Sequence, residues 1–191
     1  MPVLIAPEAA RRVRLVGLDV DGVLTDGGIY LGNAGGGALE FKRFDIQDGI
    51  GIRFLRDSGI KVVIVTGRVS EAVRMRALEL EADDVAQDAE ARKLPAFRAI
   101  LARHGVAEHE AAFIGDDLPD LAILRTVGLP ACVGNAVPEI RATSVVHLER
   151  TGGRGAVREF AEALLRARGA WDAVVERYLA ARGTLPLEVG S

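Results

Sequence analysis

Short apolar runs alternate along the chain with longer amphipathic stretches. Val13–Val20, Lys61–Thr66, Ala111–Gly115 and Leu129–Val133 are brief and rich in apolar or β-branched residues, as strands buried on both faces are. The segments between them carry a helical period. Asp48–Asp57 places Ile52 and Leu55 on one face and stops at Ser58-Gly59. Ser70–Leu80 opens on a serine and spaces Val73, Ala77 and Leu80 helically; Leu94–His104 does the same with Phe97, Ile100 and Leu101 ahead of Gly105. Pro119–Thr126 carries Leu121 and Leu124, and Gly155–Ala167 carries Val157, Phe160, Leu164 and Leu165. Strands alternating with helices predict an α/β fold: βαβ units building a parallel sheet with helices on both faces. In such sheets ligands bind beyond the carboxyl ends of the strands, which is where chemistry is to be sought.

One segment breaks the alternation. Gly27–Phe44 reads as two short strand patterns around the glycine-rich turn Gly35-Gly36-Gly37, a β-hairpin projecting from the sheet. The glycines lack the Lys-Ser/Thr of a phosphate-binding loop and no helix follows directly, so they read as a hairpin tip. Ile29, Tyr30, Leu31, Leu39, Phe41 and Phe44 are too apolar a set for a hairpin in water. Another copy of the chain is the simplest cover.

Composition narrows the class. The 191 residues suit a single domain over 1–191, with 183–191 as a flexible tail. With 49% hydrophobic and 27% charged residues the chain is of ordinary globular make-up, and a net charge of −3 offers no field for nucleic acid. Cys132 is the only cysteine, so no intramolecular disulfide forms, and the N-terminus lacks signal-peptide order. A cytoplasmic protein with no membrane span is expected. The basic residues are lopsided: 21 of the 24 are arginine, which makes Lys42, Lys61 and Lys93 worth notice.

The chemistry begins where the first strand ends, at Asp19-Val20-Asp21-Gly22-Val23-Leu24-Thr25. Carboxylates beyond an apolar strand are costly unless they bind something. Later strand ends deliver Thr66-Gly67-Arg68 and Gly115-Asp116-Asp117, and Arg92-Lys93 opens a helix between them. A parallel sheet gathers all of these at one edge. Singly, Thr66 could be a helix cap, Lys93 a solvated side chain and Asp116-Asp117 a helix start. Together, carboxylates suit a hard divalent cation such as Mg²⁺, and a hydroxyl, backbone amides and an ammonium suit phosphate oxygens.

These motifs resemble those of the haloacid dehalogenase superfamily of phosphohydrolases: Asp19–Thr25, Thr66, Lys93 and Gly115-Asp116-Asp117 stand in its order. The stretches Asp19–Asp26, Phe41–Ile52, Thr66–Arg68 and Gly152–Glu159 further resemble the 3-deoxy-D-manno-octulosonate 8-phosphate phosphatases. The resemblance implies a Rossmann-like fold and a Mg²⁺-dependent phosphomonoester hydrolase acting on a sugar-acid phosphate through an aspartyl-phosphate. Asp19 would be the nucleophile and Asp21 the general acid and base. Asp19, Asp116 and the Asp21 carbonyl would hold the ion, with Asp117 one step out from it. Thr66, Gly67 and Lys93 would bind phosphate. Arg68 and Arg154, the latter flanked by Gly152, Gly153 and Gly155, are candidates for the sugar-acid carboxylate. Only 46 residues separate Asp19 from Thr66 and 26 separate Thr66 from Lys93, too few for a separate cap domain. In the resembling family the hairpin holds a tetramer whose neighbours cover the site, so a homotetramer is expected. Alternatives remain: a nine-carbon sugar-acid 9-phosphate as substrate, Mn²⁺ or Co²⁺ as the ion, a phosphomutase, a non-catalytic assembly partner, or a receiver-like phospho-acceptor. The receiver places its acidic pair before its phospho-acceptor strand, the reverse of the order here.

Overall fold

A computed structural model describes residues 3–35 and 37–183. Six parallel strands form the central sheet: β1 (Leu15–Leu18), β4 (Lys61–Thr66), β5 (Asp84–Gln87), β6 (Ala111–Gly115), β7 (Leu129–Cys132) and β8 (Val146–His147). Their order is β5-β4-β1-β6-β7-β8, so β1 lies between β4 and β6, with Leu18 level with Ile64 and Ile114. Every residue of β1 is buried, which is why it reads as an unbroken apolar run. Beneath it Phe97 and Phe113 meet edge to face at 5.4 Å.

The helices pack in two groups, α1 (Pro7–Arg12), α2 (Ile46–Asp57), α7 (Ala156–Ala167) and α8 (Trp171–Ala180) in one, and α4 (Lys93–His104), α5 (Leu121–Leu124) and α6 (Pro138–Thr143) in the other. The α3 helix (Glu71–Glu79) is N-capped by Ser70, as its opening serine predicts. Helix α2 starts two residues earlier than its apolar period indicates, because Asp45 caps it by accepting the Gln47 N–H at 2.8 Å. The predicted helix over 119–126 divides into a 3₁₀ turn, Leu118–Asp120, and the short α5.

The hairpin is present as β2 (Tyr30–Ala34) and β3 (Gly37–Phe41), antiparallel, with Tyr30 opposite Phe41. Leu31 is 76% exposed and Phe41 58%, so within one chain this apolar surface faces outward. The segment between Asp19 and Thr66 is thus filled by the hairpin and α2, and that between Thr66 and Lys93 by α3 and β5. The predicted tail falls, beyond Gly183, outside the described residues. Among the described residues no helix is long and apolar enough to cross a membrane.

Candidate active site

The carboxyl end of β1 opens into a single wide turn, Val20–Leu24, closed by the Thr25 N–H donating to the Val20 carbonyl at 2.9 Å. Thr25 sets its shape: the buried hydroxyl donates to the Val20 carbonyl (3.2 Å) and accepts from the Gly27 N–H (3.2 Å). Gly22 takes a φ of +91°, and a Cβ there would lie 2.0 Å from Asp116 Oδ2. Only glycine lets the turn approach the β6 carboxylate so closely.

At the bottom of this edge lies a charge cluster. Lys93 Nζ, buried at the start of α4, donates to Asp19 Oδ1 at 2.6 Å and to Asp120 Oδ1 at 2.8 Å. The other oxygen of Asp120 accepts the Asp116 N–H at 3.1 Å. Oxygens of Asp19, Asp116 and Asp120 all lie within 4.8 Å of one another. Three carboxylates thus face one ammonium. Burial, then the charge of Asp120, raises the pKa of Asp19 well above the usual carboxylate range. Burial and Asp120 likewise push Asp116 up to about 6. Burial alone would lower Lys93, yet Asp19 and Asp120 outweigh it and hold its pKa above the ordinary value. Crowded acids of this kind are what a divalent cation relieves. Both oxygens of Asp120 are committed, to Lys93 and to the Asp116 amide, which leaves Asp116 and the second oxygen of Asp19 for an ion.

Thr66 is buried at the end of β4, its hydroxyl accepting the Arg68 N–H at 3.3 Å. With Gly67, Arg68, Lys93, Asp116 and Asp21 it lines a cleft of about 210 Å³ over the cluster. Asp21 points the other way along the turn, toward the hairpin. Its carboxylate pairs with Lys42, whose side chain is wholly buried, and lies 3.8 Å from Arg68 Nε. Glu40 completes the group at 3.2 Å from Lys42 and 3.3 Å from Arg68.

Proteins similar to this chain are plentiful. Residues 51–128 match the model of the haloacid dehalogenase-like hydrolases. A 3-deoxy-D-manno-octulosonate 8-phosphate phosphatase of Salmonella typhi is 43% identical over 165 residues, 85% of either chain. The chain belongs to the haloacid dehalogenase-like phosphatases. The Escherichia coli K12 protein of the same name is 42% identical over the same share. Among solved structures, the 3-deoxy-D-manno-octulosonate 8-phosphate phosphatase of Moraxella catarrhalis superposes with a TM-score of 0.84 at 39% identity. The match covers 90% of this chain and 97% of that one, and that crystal holds magnesium, phosphate and a KDO molecule. A cobalt-bound relative from Haemophilus influenzae gives a TM-score of 0.80 at 32% identity, covering 86% of this chain and 94% of that one.

Within this phosphatase, the sheet edge brings Asp19, Asp21, Thr66, Gly67, Arg68, Lys93, Asp116 and Asp117 to one cleft. Asp117 is exposed and caps the 3₁₀ turn, accepting the Leu118 N–H at 2.7 Å; the inward partner is Asp120, four residues beyond Asp116. Arg154 is exposed on the 151–155 loop and does not line the cleft. The motif reading assigns no role to three residues of the site: Asp120, Lys42 and Glu40. The Asp116-x-x-x-Asp120 spacing signals the first, since one helical turn returns a side chain to the same face. Lysine scarcity signals the second. No sequence signal marks Glu40.

Proposed function

We propose that this enzyme hydrolyses a sugar-acid phosphate, 3-deoxy-D-manno-octulosonate 8-phosphate, through an aspartyl-phosphate formed on Asp19. The observation that carries the mechanism is the pair of aspartates on one turn with opposed surroundings. Asp19 faces the buried ammonium and its acidic neighbours, whereas Asp21 faces the open, hairpin side of the cleft. That division fits a nucleophile at the phosphoryl end and a proton carrier at the leaving-group end. The substrate reading rests on relatives that share 85% of the chain's length and on a neighbour crystallised with KDO.

In this reading Asp19 attacks phosphorus in line with the sugar oxygen, and Asp21 delivers the proton that the departing oxygen needs. Asp21 then takes a proton from the water that hydrolyses the aspartyl-phosphate, which returns Asp19 and releases inorganic phosphate. Lys93, the Thr66 hydroxyl and the Gly67 amide hold the phosphoryl oxygens and offset their charge. Asp19 and Asp116, with the Asp21 carbonyl, would hold Mg²⁺, which supplies charge neutralisation at the phosphoryl group when bound. Asp120 orients Lys93, and Asp117 stays one step out from the ion. Arg68 at the cleft mouth suits the substrate carboxylate; Arg154 takes that part only if a neighbouring chain or bound substrate brings it to the cleft.

A cleft of about 210 Å³ accommodates the phosphate end and leaves the sugar uncovered. The exposed apolar hairpin, beside a groove of about 990 Å³ lined by Leu31, Leu39, Phe41, Val69 and Met75, fits a tetramer whose neighbouring copies wall the site. A cytoplasmic location accords with a lone buried thiol. Phosphate release from a panel of sugar phosphates tests the whole reading. The eight-carbon keto-acid 8-phosphate should be the best substrate and Mg²⁺ removal should abolish turnover; preference for a nine-carbon 9-phosphate would overturn the substrate assignment alone.

A further inference from the structure

Asp48 is a buried carboxylate that the reaction above leaves unused. It lies in the first turn of α2, 1% exposed; its hydrogen-bond donors are backbone amides, and Asp45 is the charged group that acts on it. Its Oδ1 accepts the Arg158 N–H at 2.8 Å, and the amides of Gly155 and Val157 also act on the group. These amides stand at the start of α7, whose cap residue, Gly155, has no side chain with which to satisfy them. Asp48 therefore caps α7 from a different helix.

The loop leading into α7 rests on the catalytic turn. A Cβ at Gly152 would sit 1.7 Å from the Gly22 carbonyl oxygen, and the Gly153 N–H donates to the Val23 carbonyl at 3.0 Å. Asn135 holds this loop through the Gly152 N–H at 2.8 Å, and Arg43 through the Gly153 carbonyl at 2.6 Å. Gly22 is thus pressed between Asp116 on one side and the 152–153 backbone on the other. We infer that Asp48 is a positioning residue: by anchoring the start of α7 it fixes Gly152 and Gly153, and through them the turn that carries Asp21 and adjoins Asp19.

Retention of a carboxylate here is costly, which separates this role from simple packing. Burial pushes its pKa up to about 6 despite the three amides, so the ionised form opposes folding at neutral pH. The inference rests on Asp19 and Asp21 carrying the chemistry, a reading that the Asp19→Asn variant tests separately.

The experiment measures kcat and KM for p-nitrophenyl phosphate with Mg²⁺, well below each variant's melting temperature and per mole of folded enzyme. Misplacing a reacting group by about 1 Å costs up to ~10²-fold. On that scale Asp48→Ala should lower kcat about 30-fold with KM within about twofold. Asp48→Asn keeps an acceptor for the Arg158 N–H but loses the charge, and should leave kcat about fivefold below the parent. Leu164→Ala, a core truncation on α7 that costs stability without touching the cap, should leave kcat unchanged. If Asp48→Ala does not fold, the fivefold loss in a stable Asp48→Asn carries the test. Parental kcat in either Asp48 variant, or an equal loss in Leu164→Ala, would overturn the inference.

Discussion

Two lysine–aspartate pairs flank the cleft, and they are built on opposite terms. Lys93 and Asp19 are both 5% exposed in their side chains, seated on the sheet edge and α4, with Asp120 as a second anion. Lys42 and Asp21 join the same turn to the hairpin, where Asp21 is 23% exposed and Glu40 and Arg68 share the charge. The first pair lies in the part of the molecule that the apolar core holds fixed. The second lies where the core ends and a projecting element begins. In the proposed reading the nucleophile and phosphate donors occupy the fixed part, while the proton carrier Asp21 and the discrimination of the rest of the substrate lie at the part free to vary.

Breaking the two pairs should have unequal consequences. Lys93→Met strands two buried carboxylates and removes a phosphate donor. It should lower kcat roughly 10³-fold and destabilise the metal-free enzyme by about 3 kcal/mol, read by phosphate release and urea unfolding. Lys42→Met leaves Asp21 and Glu40 within reach of water. The expected result is a loss of about tenfold in kcat/KM on the sugar-acid phosphate, little change on p-nitrophenyl phosphate, and a stability change within about 1 kcal/mol. Equal losses on both substrates would erase the distinction between the two ends of the cleft.

The smallest effect concerns the cost of the fixed side. In the folded protein burial holds the Asp48 pKa at about 6, above the ordinary aspartate value of 3.8. The penalty for ionising it is therefore absent at pH below both values and fully developed above pH 6. Asp48→Asn removes that penalty, so its stability relative to the parent should be about 1–2 kcal/mol more favourable at pH 8 than at pH 5 in urea titrations. An advantage that stayed constant or shrank with rising pH would show that the carboxylate is comfortably solvated.

The same contrast marks what the sequence made legible. The buried strands announced themselves because β1, β4, β6 and β7 are covered on both faces and read as continuous apolar runs. Once the sheet is parallel, convergence of Asp19, Thr66 and Asp116 at one edge follows from topology. The edge strand β5 escaped notice because its four residues are half-exposed and polar at both ends, and β8 because it has only two. Helix α8 was legible in principle, since Trp171, Val174, Val175 and Tyr178 repeat helically and pack on Phe54 and the core. The acidic motif marks Asp117 beside Asp116, whereas the chain's direction there leaves Asp117 exposed and turns Asp120 in. Lys42 and Glu40 could not be joined to Asp21 from the sequence, because the strand-end hairpin that carries them has no period shared with the sheet. The glycines flanking Arg154 were expected to admit a ligand; in the structure Gly152 is closed by the Gly22 backbone, Gly153 by Thr25 and Asp26, and Gly155 by the Arg150 side chain.

Whether Asp19 accepts the phosphoryl group is read most directly by acid-quenched single turnover. With excess enzyme, Mg²⁺ and ³²P-labelled 3-deoxy-D-manno-octulosonate 8-phosphate, the account predicts transient label on the peptide containing Asp19, and neither label nor turnover in Asp19→Asn. Phosphate released by the parent with no labelled protein at any time, together with measurable turnover in Asp19→Asn, would contradict it.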